Sequence, residues 1–194
     1  MVICICSTPN LKPGGTIAKH LAQYGIPVEE HHITTDDGYI LGAFRLIHQG
    51  APVVMLQHGI VDSAWAWVFN NPDSAPAIQL HNMGYDVWLT SNRGSAFGLK
   101  HRTLRAFSDK AFWDFSFSDM ARHDVPSNID YILRQTGMSN LTYIGHSQGS
   151  TQLFAAMTNL TLKRSLEKKV NLFVALSPVA FMAQMSNKLV WGVS

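Results

Sequence analysis

Residues 145–149 read Gly-His-Ser-Gln-Gly, a serine with a glycine two positions away on either side. The apolar run Leu141-Thr-Tyr-Ile144 before it has strand character, and Gln148 to Met157 after it has helical character. A serine on so abrupt a strand-to-helix bend is strained, and a side chain at 145 or 149 would meet neighbouring backbone. The following helix brings the positive end of its dipole and free N–H groups beside the hydroxyl. Acyl transfer needs those parts: a nucleophilic oxygen, and donors aimed at the negative charge of a tetrahedral intermediate. The five-residue pattern alone is weak, but its place between strand and helix makes it specific. Ser147 is the candidate nucleophile.

An oxyanion also needs a second N–H from a different loop. His58-Gly59-Ile60 follows the strand-like run Val53–Leu56 and lies where such a loop belongs. The backbone N–H groups of Ile60 and Gln148 are the two expected donors. His58 reads as a structural ring that ties its loop, and His146 as a ring buried beside the nucleophile and turned away from the reacting carbonyl. A serine hydroxyl also needs an imidazole to take its proton and a carboxylate to orient that imidazole. The 47 residues after Ser147 contain no His and no Asp, and Glu167 is their single acid. His20, His31, His32, His48, His58, His81, His101 and His123 all precede the serine, and none is expected in a loop aimed at it.

The elements that must position this serine read as an alternation. Thr16–Tyr24 has helical spacing, with Ile17, Leu21 and Tyr24 on one side and Gly25 as its stop. Val28–Thr34 and Tyr39–Leu46 are strand-like and joined by Asp36-Asp37-Gly38, a hairpin signal. Val53–Leu56 and Tyr85–Leu89 are continuous apolar runs, expected as strands covered on both faces. A helix is expected at Ser74–Met83, and another from an Asp124 N-cap, with Pro126 in its first turn, to Gln135 and a stop at Gly137. Val170–Met185 reads as a buried strand, Leu172–Leu176, and the loop after it. A hairpin followed by strands alternating with helices predicts an α/β fold with a mostly parallel sheet. With no repeat or linker, the expected organisation is a tail at 1–15 and one domain at 16–194.

Composition agrees with a packed domain: 46% hydrophobic, 14% charged and a net charge of +2. That balance offers no basic face for nucleic acid. Cys4 and Cys6 are too close in sequence to favour a disulfide and too few for a metal site. No carboxylate cluster, metal-binding motif or phosphate-cradling glycine loop is visible, so no cofactor is expected. The opening Met1–Cys6 is too short for a signal peptide core, and no stretch reaches membrane-spanning length. Asn140-Leu-Thr142 and Asn159-Leu-Thr161 are glycan acceptor triplets should the chain be secreted.

From about Thr16 onward the chain resembles the acid lipases, the family of gastric and lysosomal acid lipase. The resemblance is carried by Thr35-Asp-Asp-Gly-Tyr-Ile-Leu41, Leu56-Gln-His-Gly59, Gly84-Tyr-Asp-Val-Trp-Leu89, Ser91-Asn-Arg-Gly94, Phe112-Trp113, Asp124-Val-Pro126, Tyr143-Ile-Gly-His-Ser-Gln-Gly149 and Ala175-Leu-Ser-Pro-Val179. It implies an α/β-hydrolase fold with an N-terminal antiparallel hairpin, truncated before the cap and the last strands, in which six contiguous strands could remain with Leu172–Leu176 as an open edge. It implies Ser147 as nucleophile, Ile60 and Gln148 at the oxyanion hole, and Asn92-Arg93-Gly94 as a structural brace. Trp65, Trp67, Phe112 and Trp113 are read as core before they are read as an acyl groove. Implied substrates are water-insoluble esters, triacylglycerols or cholesteryl esters, met at a lipid interface, in a secreted or lysosomal setting. In this family's order the triad Asp and His follow the serine, so the chain reads as an incomplete copy of a lipase. The alternatives are a catalytically inactive lipid-binding or interaction protein that keeps the fold, and another α/β-hydrolase activity such as acyl transfer or thioester cleavage.

Overall fold

A computed structural model describes residues 15–181. The tail and the two cysteines fall outside those residues, as does the chain from 182. In order, the elements are α1 (Gly15–Ala22), β1 (Val28–Thr34), β2 (Tyr39–Leu46), β3 (Val53–Gln57), α2 (Pro76–Asn82), β4 (Asp86–Thr90), β5 (Lys100–His101), α3 (Phe117–Asp119), α4 (Val125–Thr136), β6 (Leu141–His146), α5 (Gln148–Thr158), α6 (Leu160–Lys169) and β7 (Val170–Leu176). A wide-turned π segment, Met120–Asp124, joins α3 to α4.

The strands form one sheet in the order β1-β2-β4-β3-β6-β7, with the short β5 pairing with β2. β1 and β2 make the expected antiparallel hairpin. Its turn is closed by Thr35, whose N–H reaches the Tyr39 carbonyl at 2.8 Å and whose hydroxyl accepts the Tyr39 N–H at 2.9 Å. Gly38 sits at φ +106°, a conformation that disfavours any other residue there. β4, β3, β6 and β7 run parallel. The chain leaves β3 for β4 on one side and returns to β6 on the other. That reversal is a topological switch point at the carboxyl ends of β3 and β6, the place where open α/β sheets bind ligands.

Continuous apolar strands are explained by cover on both faces. Phe44, Leu46, Val54, Leu56, Val87 and Leu89 pack with Ile17 and Leu21 of α1, Trp67, and Ile78 of α2. Met55, Trp88, Leu141 and Tyr143 pack on the opposite face with Val125, Ile129 and Ile132 of α4, Leu153 of α5 and Leu166 of α6.

Five expectations need correction. Tyr24 lies beyond α1 and is 41% exposed, because the helix ends at Ala22 and a turn swings it outward. Asp124 does not cap α4: its backbone is helical and its side chain makes no cap hydrogen bond, being committed to Arg93. α6 has no counterpart among the expected elements; the Asn159 side-chain oxygen Oδ1 accepts the N–H groups of Thr161 and Leu162 and starts it. The glycan triplet at 159 is therefore also a helix cap. β7 is half-buried to exposed along its length rather than buried, since no strand among the described residues pairs with its outer edge. His146, expected buried, is half-buried.

Candidate active site

β6 runs straight into α5, and Ser147 is the hinge, at φ +51° and ψ −117°. A non-glycine residue so held is strained and persists only where its surroundings dictate it. The surroundings are visible. The Ser147 N–H donates to the Leu176 carbonyl at 2.9 Å, fixing the bend to the end of β7. The Ser147 carbonyl accepts from the Ser150 N–H at 2.9 Å and the Ser150 hydroxyl at 2.5 Å. A Cβ added at Gly145 would lie 2.7 Å from the Gly149 carbonyl carbon and the Ser150 nitrogen. One added at Gly149 would collide with the Gln57 carbonyl and lie 2.9 Å from that of His58. The glycines are therefore steric requirements: one lets α5 fold back over β6, and the other lets it sit on the end of β3. The hydroxyl of Tyr143, fully buried, donates to the Gly149 carbonyl at 2.8 Å and locks the same turn. Burial holds that phenol well above its ordinary pKa, so it stays a donor.

The His58–Ile60 loop meets the serine. A Cβ at Gly59 would lie 3.1 Å from the Ser147 Cβ, so a larger residue would press the two loops apart by a few tenths of an ångström. The N–H groups of Ile60 and Gln148 have no hydrogen-bond partner among the described residues. Ile60 is 44% exposed and its neighbour Val61, at φ +55°, is 75% exposed. The three residues expected at the site are thus gathered at the carboxyl ends of β3 and β6.

Behind this loop lies a buried polar cluster, of which the sequence marks only His58 and Asn92 as structural residues. His58 is 1% exposed. Its Nε2 accepts the Asn92 N–H at 3.2 Å, which leaves the ring proton on Nδ1, 2.8 Å from the Gly59 carbonyl. Burial lowers the pKa of this ring, holding it neutral. The Asn92 side-chain oxygen accepts from Gln57 at 2.7 Å and from Gln152 of α5 at 2.9 Å. Gln57 in turn accepts the Thr90 hydroxyl at 2.7 Å.

Next to it, Arg93 is 2% exposed and serves two carboxylates. Its Nε and Nη2 reach Asp124 at 2.9 and 2.7 Å, and its Nη1 and Nη2 reach Asp37 at 2.6 and 2.9 Å. The guanidinium lies 4.0 Å over the Tyr39 ring. Burial pushes the Asp124 carboxyl up to about 6 against the pull of Arg93. For Asp37, burial is outweighed by bonds from Arg93 and Thr35, and its pKa is lowered. One cation thereby joins the hairpin turn, the loop after β4 and the π segment before α4.

Other chemistry-bearing groups are engaged elsewhere. Asp36, Asp37 and His123 come within 4.8 Å of one another, a small carboxylate cluster not foreseen from sequence. Both Asp37 oxygens are held by Arg93, and His123 lies 2.7 Å from Asp36. His20 bonds the Val68 carbonyl, His31 the Tyr131 hydroxyl and His101 the Asp37 carbonyl, while His48 and His81 stack on each other. His32 is exposed on β1, separated from β6 by three strands. Besides His58, whose two nitrogens are taken, His146 is the ring at the site, with Nδ1 against Gly59. Phe112 and Trp67 are core, while Trp65 and Trp113 are partly buried.

Comparison with known proteins gives the same frame. Residues 17–71 match the model of a partial alpha/beta-hydrolase lipase region, and residues 52–193 match that of the alpha/beta hydrolase fold. The chain is 41% identical over 178 residues to lipase member K of Homo sapiens, covering 88% of this chain and 44% of that protein. It is 40% identical over 191 residues to gastric triacylglycerol lipase of Bos taurus, covering 93% and 47%. The chain therefore spans about half the length of the curated relatives it matches. Among solved structures, an esterase of Pyrococcus furiosus superposes with a TM-score of 0.61 at 15% identity, over 89% of this chain and 60% of that one. An epoxide hydrolase of Vigna radiata gives 0.52 at 19% identity, over 80% and 39%. Those two likenesses establish the fold alone.

Proposed function

This chain belongs to the α/β-hydrolase family and, within it, to the acid lipases, and from that premise we propose that it is the nucleophile-bearing half of a carboxylic ester hydrolase acting on lipid esters. The observation that supports the proposal is the close approach of Gly59 to Ser147, which brings the loop carrying Ile60 against a strained, glycine-flanked serine. Ser147 attacks the ester carbonyl and its proton leaves to a histidine. The oxyanion rests on the N–H groups of Ile60 and Gln148, where fixed donors in a sheltered site favour the transition state over the ground state. The alcohol departs, an acyl-enzyme remains, and water releases the fatty acid by the reverse sequence of proton transfers.

The base in both halves is a histidine outside these 194 residues, oriented by an acid also outside them. Among the described residues His20, His31, His58, His101 and His123 are hydrogen-bonded to other groups and His48 and His81 stack on each other, while His146 lies with Nδ1 against Gly59. Exposed apolar Ile60 and Val61 at the mouth of the site suit a water-insoluble acyl chain. Triacylglycerols and cholesteryl esters are the substrate class, and a secreted or lysosomal setting follows from the same kinship. No helix among the described residues is long and apolar enough to cross a membrane.

The test is to read the transcript beyond Ser194 and express the extended chain. Hydrolysis of long-chain ester emulsions, lost in Ser147→Ala, supports the reading. An extended chain with an in-frame Asp and His that cleaves no ester contradicts it. The contrasting reading is an inactive lipid-binding protein that keeps the fold. It predicts lipid binding by the extended chain with no Ser147-dependent release of fatty acid.

A further inference from the structure

Asn92 is the first residue of the braced stretch after β4, and each of its polar groups is engaged. Its N–H goes to His58 Nε2 at 3.2 Å, and its Nδ2 donates to the His58 carbonyl at 3.4 Å. Its Oδ1 takes the amides of Gln57 and Gln152. Its carbonyl accepts the Ser95 hydroxyl at 2.7 Å and the Ser95 N–H at 3.2 Å. Gly98 packs so closely on that carbonyl that a Cβ there would collide with it. Asn92 is 3% exposed, and Gln57, His58 and Gln152 are no more exposed than 1%.

These bonds share a geometry that packing alone does not require. Two of them end on His58, the residue before Gly59, and one ends on α5, the helix that Ser147 opens. A fourth reaches Gln57, whose carbonyl lies against Gly149. A buried residue with every polar group engaged, as Asn92 is, rigidifies what it touches, because breaking any one of its bonds strands a desolvated donor or acceptor. An oxyanion hole depends on the relative position of two backbone segments to a few tenths of an ångström. Here the two segments have one side chain in common.

We infer that Asn92 is the positioning residue of the oxyanion hole, holding the His58–Ile60 loop at a fixed distance from the nucleophile helix and selecting the Nδ1–H tautomer of His58. The inference rests on the reading of Ile60 and Gln148 as oxyanion donors. Asn92 acts through His58 and Gln152 and touches no reacting atom. The tautomer follows from an obligate donor: a backbone N–H aimed at Nε2 cannot accept, so the ring must carry its proton on the other nitrogen. That proton holds the Gly59 carbonyl, and with it the orientation of the peptide unit whose nitrogen belongs to Ile60.

The experiment uses the 194-residue chain. In ¹⁵N spectra of the imidazole rings, wild-type His58 is expected as the Nδ1–H tautomer with an unprotonated Nε2. Asn92→Ala is expected to convert it to a tautomer mixture. Amide exchange at Gly59, Ile60 and Gln148 should rise about tenfold, the local opening expected from losing buried hydrogen bonds. Protection of Val54–Leu56 and Tyr143 should be retained. Ile129→Val, a core truncation under α4, serves as the control and should alter none of the three site amides selectively. An Nε2–H tautomer in the wild type overturns the inference, and that spectrum decides alone should Asn92→Ala fail to fold. So does an Asn92→Ala profile in which the sheet loses protection as much as the loop. Failure of an extended chain to cleave esters would count against the hydrolase reading and leave these ring and exchange results standing on their own.

Discussion

Replacing Gly149 by alanine adds one methyl group at the point where α5 rests on the end of β3. The added carbon would collide with the Gln57 carbonyl oxygen, lie 2.9 Å from that of His58 and 3.0 Å from the Gln57 carbonyl carbon. All three are backbone atoms of a fully buried strand end, so no side-chain rotation relieves the overlap. Helix α5 must lift by an appreciable fraction of an ångström, or β3 must bend. Overpacking of this kind costs about 1–3 kcal/mol, and a backbone obstacle puts this case at about 3 kcal/mol. For a chain of this size that lowers the melting temperature by about 6–12 °C. The same lift widens the gap between the Gln148 N–H and the Ile60 N–H. Gly137→Ala is the comparison: it sits at φ +71° at the end of α4 with nothing within 4 Å. It bears conformational strain of about 1 kcal/mol without steric overlap and lies away from the site. Thermal unfolding of the two variants, with phosphonylation of Ser147 by a fluorophosphonate as the site readout, separates the effects. Gly149→Ala should lose both stability and labelling, and Gly137→Ala only stability. Wild-type melting and labelling in Gly149→Ala would refute the steric account of the elbow.

Arg93→Lys keeps the charge but cannot serve two carboxylates or lie flat on Tyr39, so stability should drop by about 3 kcal/mol in denaturant titrations. Tyr143→Phe removes a single buried hydrogen bond to Gly149 and should cost about 1 kcal/mol by the same measurement, with the labelling site unchanged. His58 is buried with its pKa lowered from 6.5, so below that value the unfolded chain takes up a proton that the folded chain resists. Its contribution to stability is therefore present at higher pH and lost as pH falls below 6.5, by about 1.4 kcal/mol per pH unit. Asp124, pushed up to about 6, has the opposite sign, and stability from its protonation is lost as pH rises through that value. Comparing stability against pH for wild type and His58→Gln isolates the histidine contribution, and parallel curves would show that the ring is not held neutral.

The strands and the elbow were legible because each is a local signal. Val53–Leu56 and Leu141–Ile144 are continuous apolar runs, which both-face burial demands, and the two glycines around Ser147 mark a bend no other residue permits. Asp36-Asp37-Gly38 announced its turn by the same logic. What stayed hidden was non-local or ambiguous. Asp124 has the right residue type and position for a helix cap, but a guanidinium 31 residues earlier in the chain wins its carboxylate, and cap preference cannot report that. α6 was obscured because Asn159-Leu-Thr161 invited a reading as a glycan acceptor, although an Asn ahead of Leu160, Leu162 and Leu166 is also a helix start. The apolar run of β7 suggested a buried strand, whereas the family's strand order implied the open outer edge that the described residues show. The cluster around Asn92 could not be derived from composition, because Gln57, His58, Asn92 and Gln152 come from three separate stretches of chain.

The most direct measurement of the central claim is intact mass and peptide mapping of the 194-residue chain after treatment with a long-chain alkyl fluorophosphonate. Oxyanion donors alone retain a residue of catalysis when the base is gone, so slow, stoichiometric addition is expected at Ser147, abolished in Ser147→Ala and absent from the other serines. Modification spread over several serines, or a chain left unmodified while an unrelated serine hydrolase reacts under the same conditions, would contradict the assignment of Ser147 as a nucleophile beside a formed oxyanion hole.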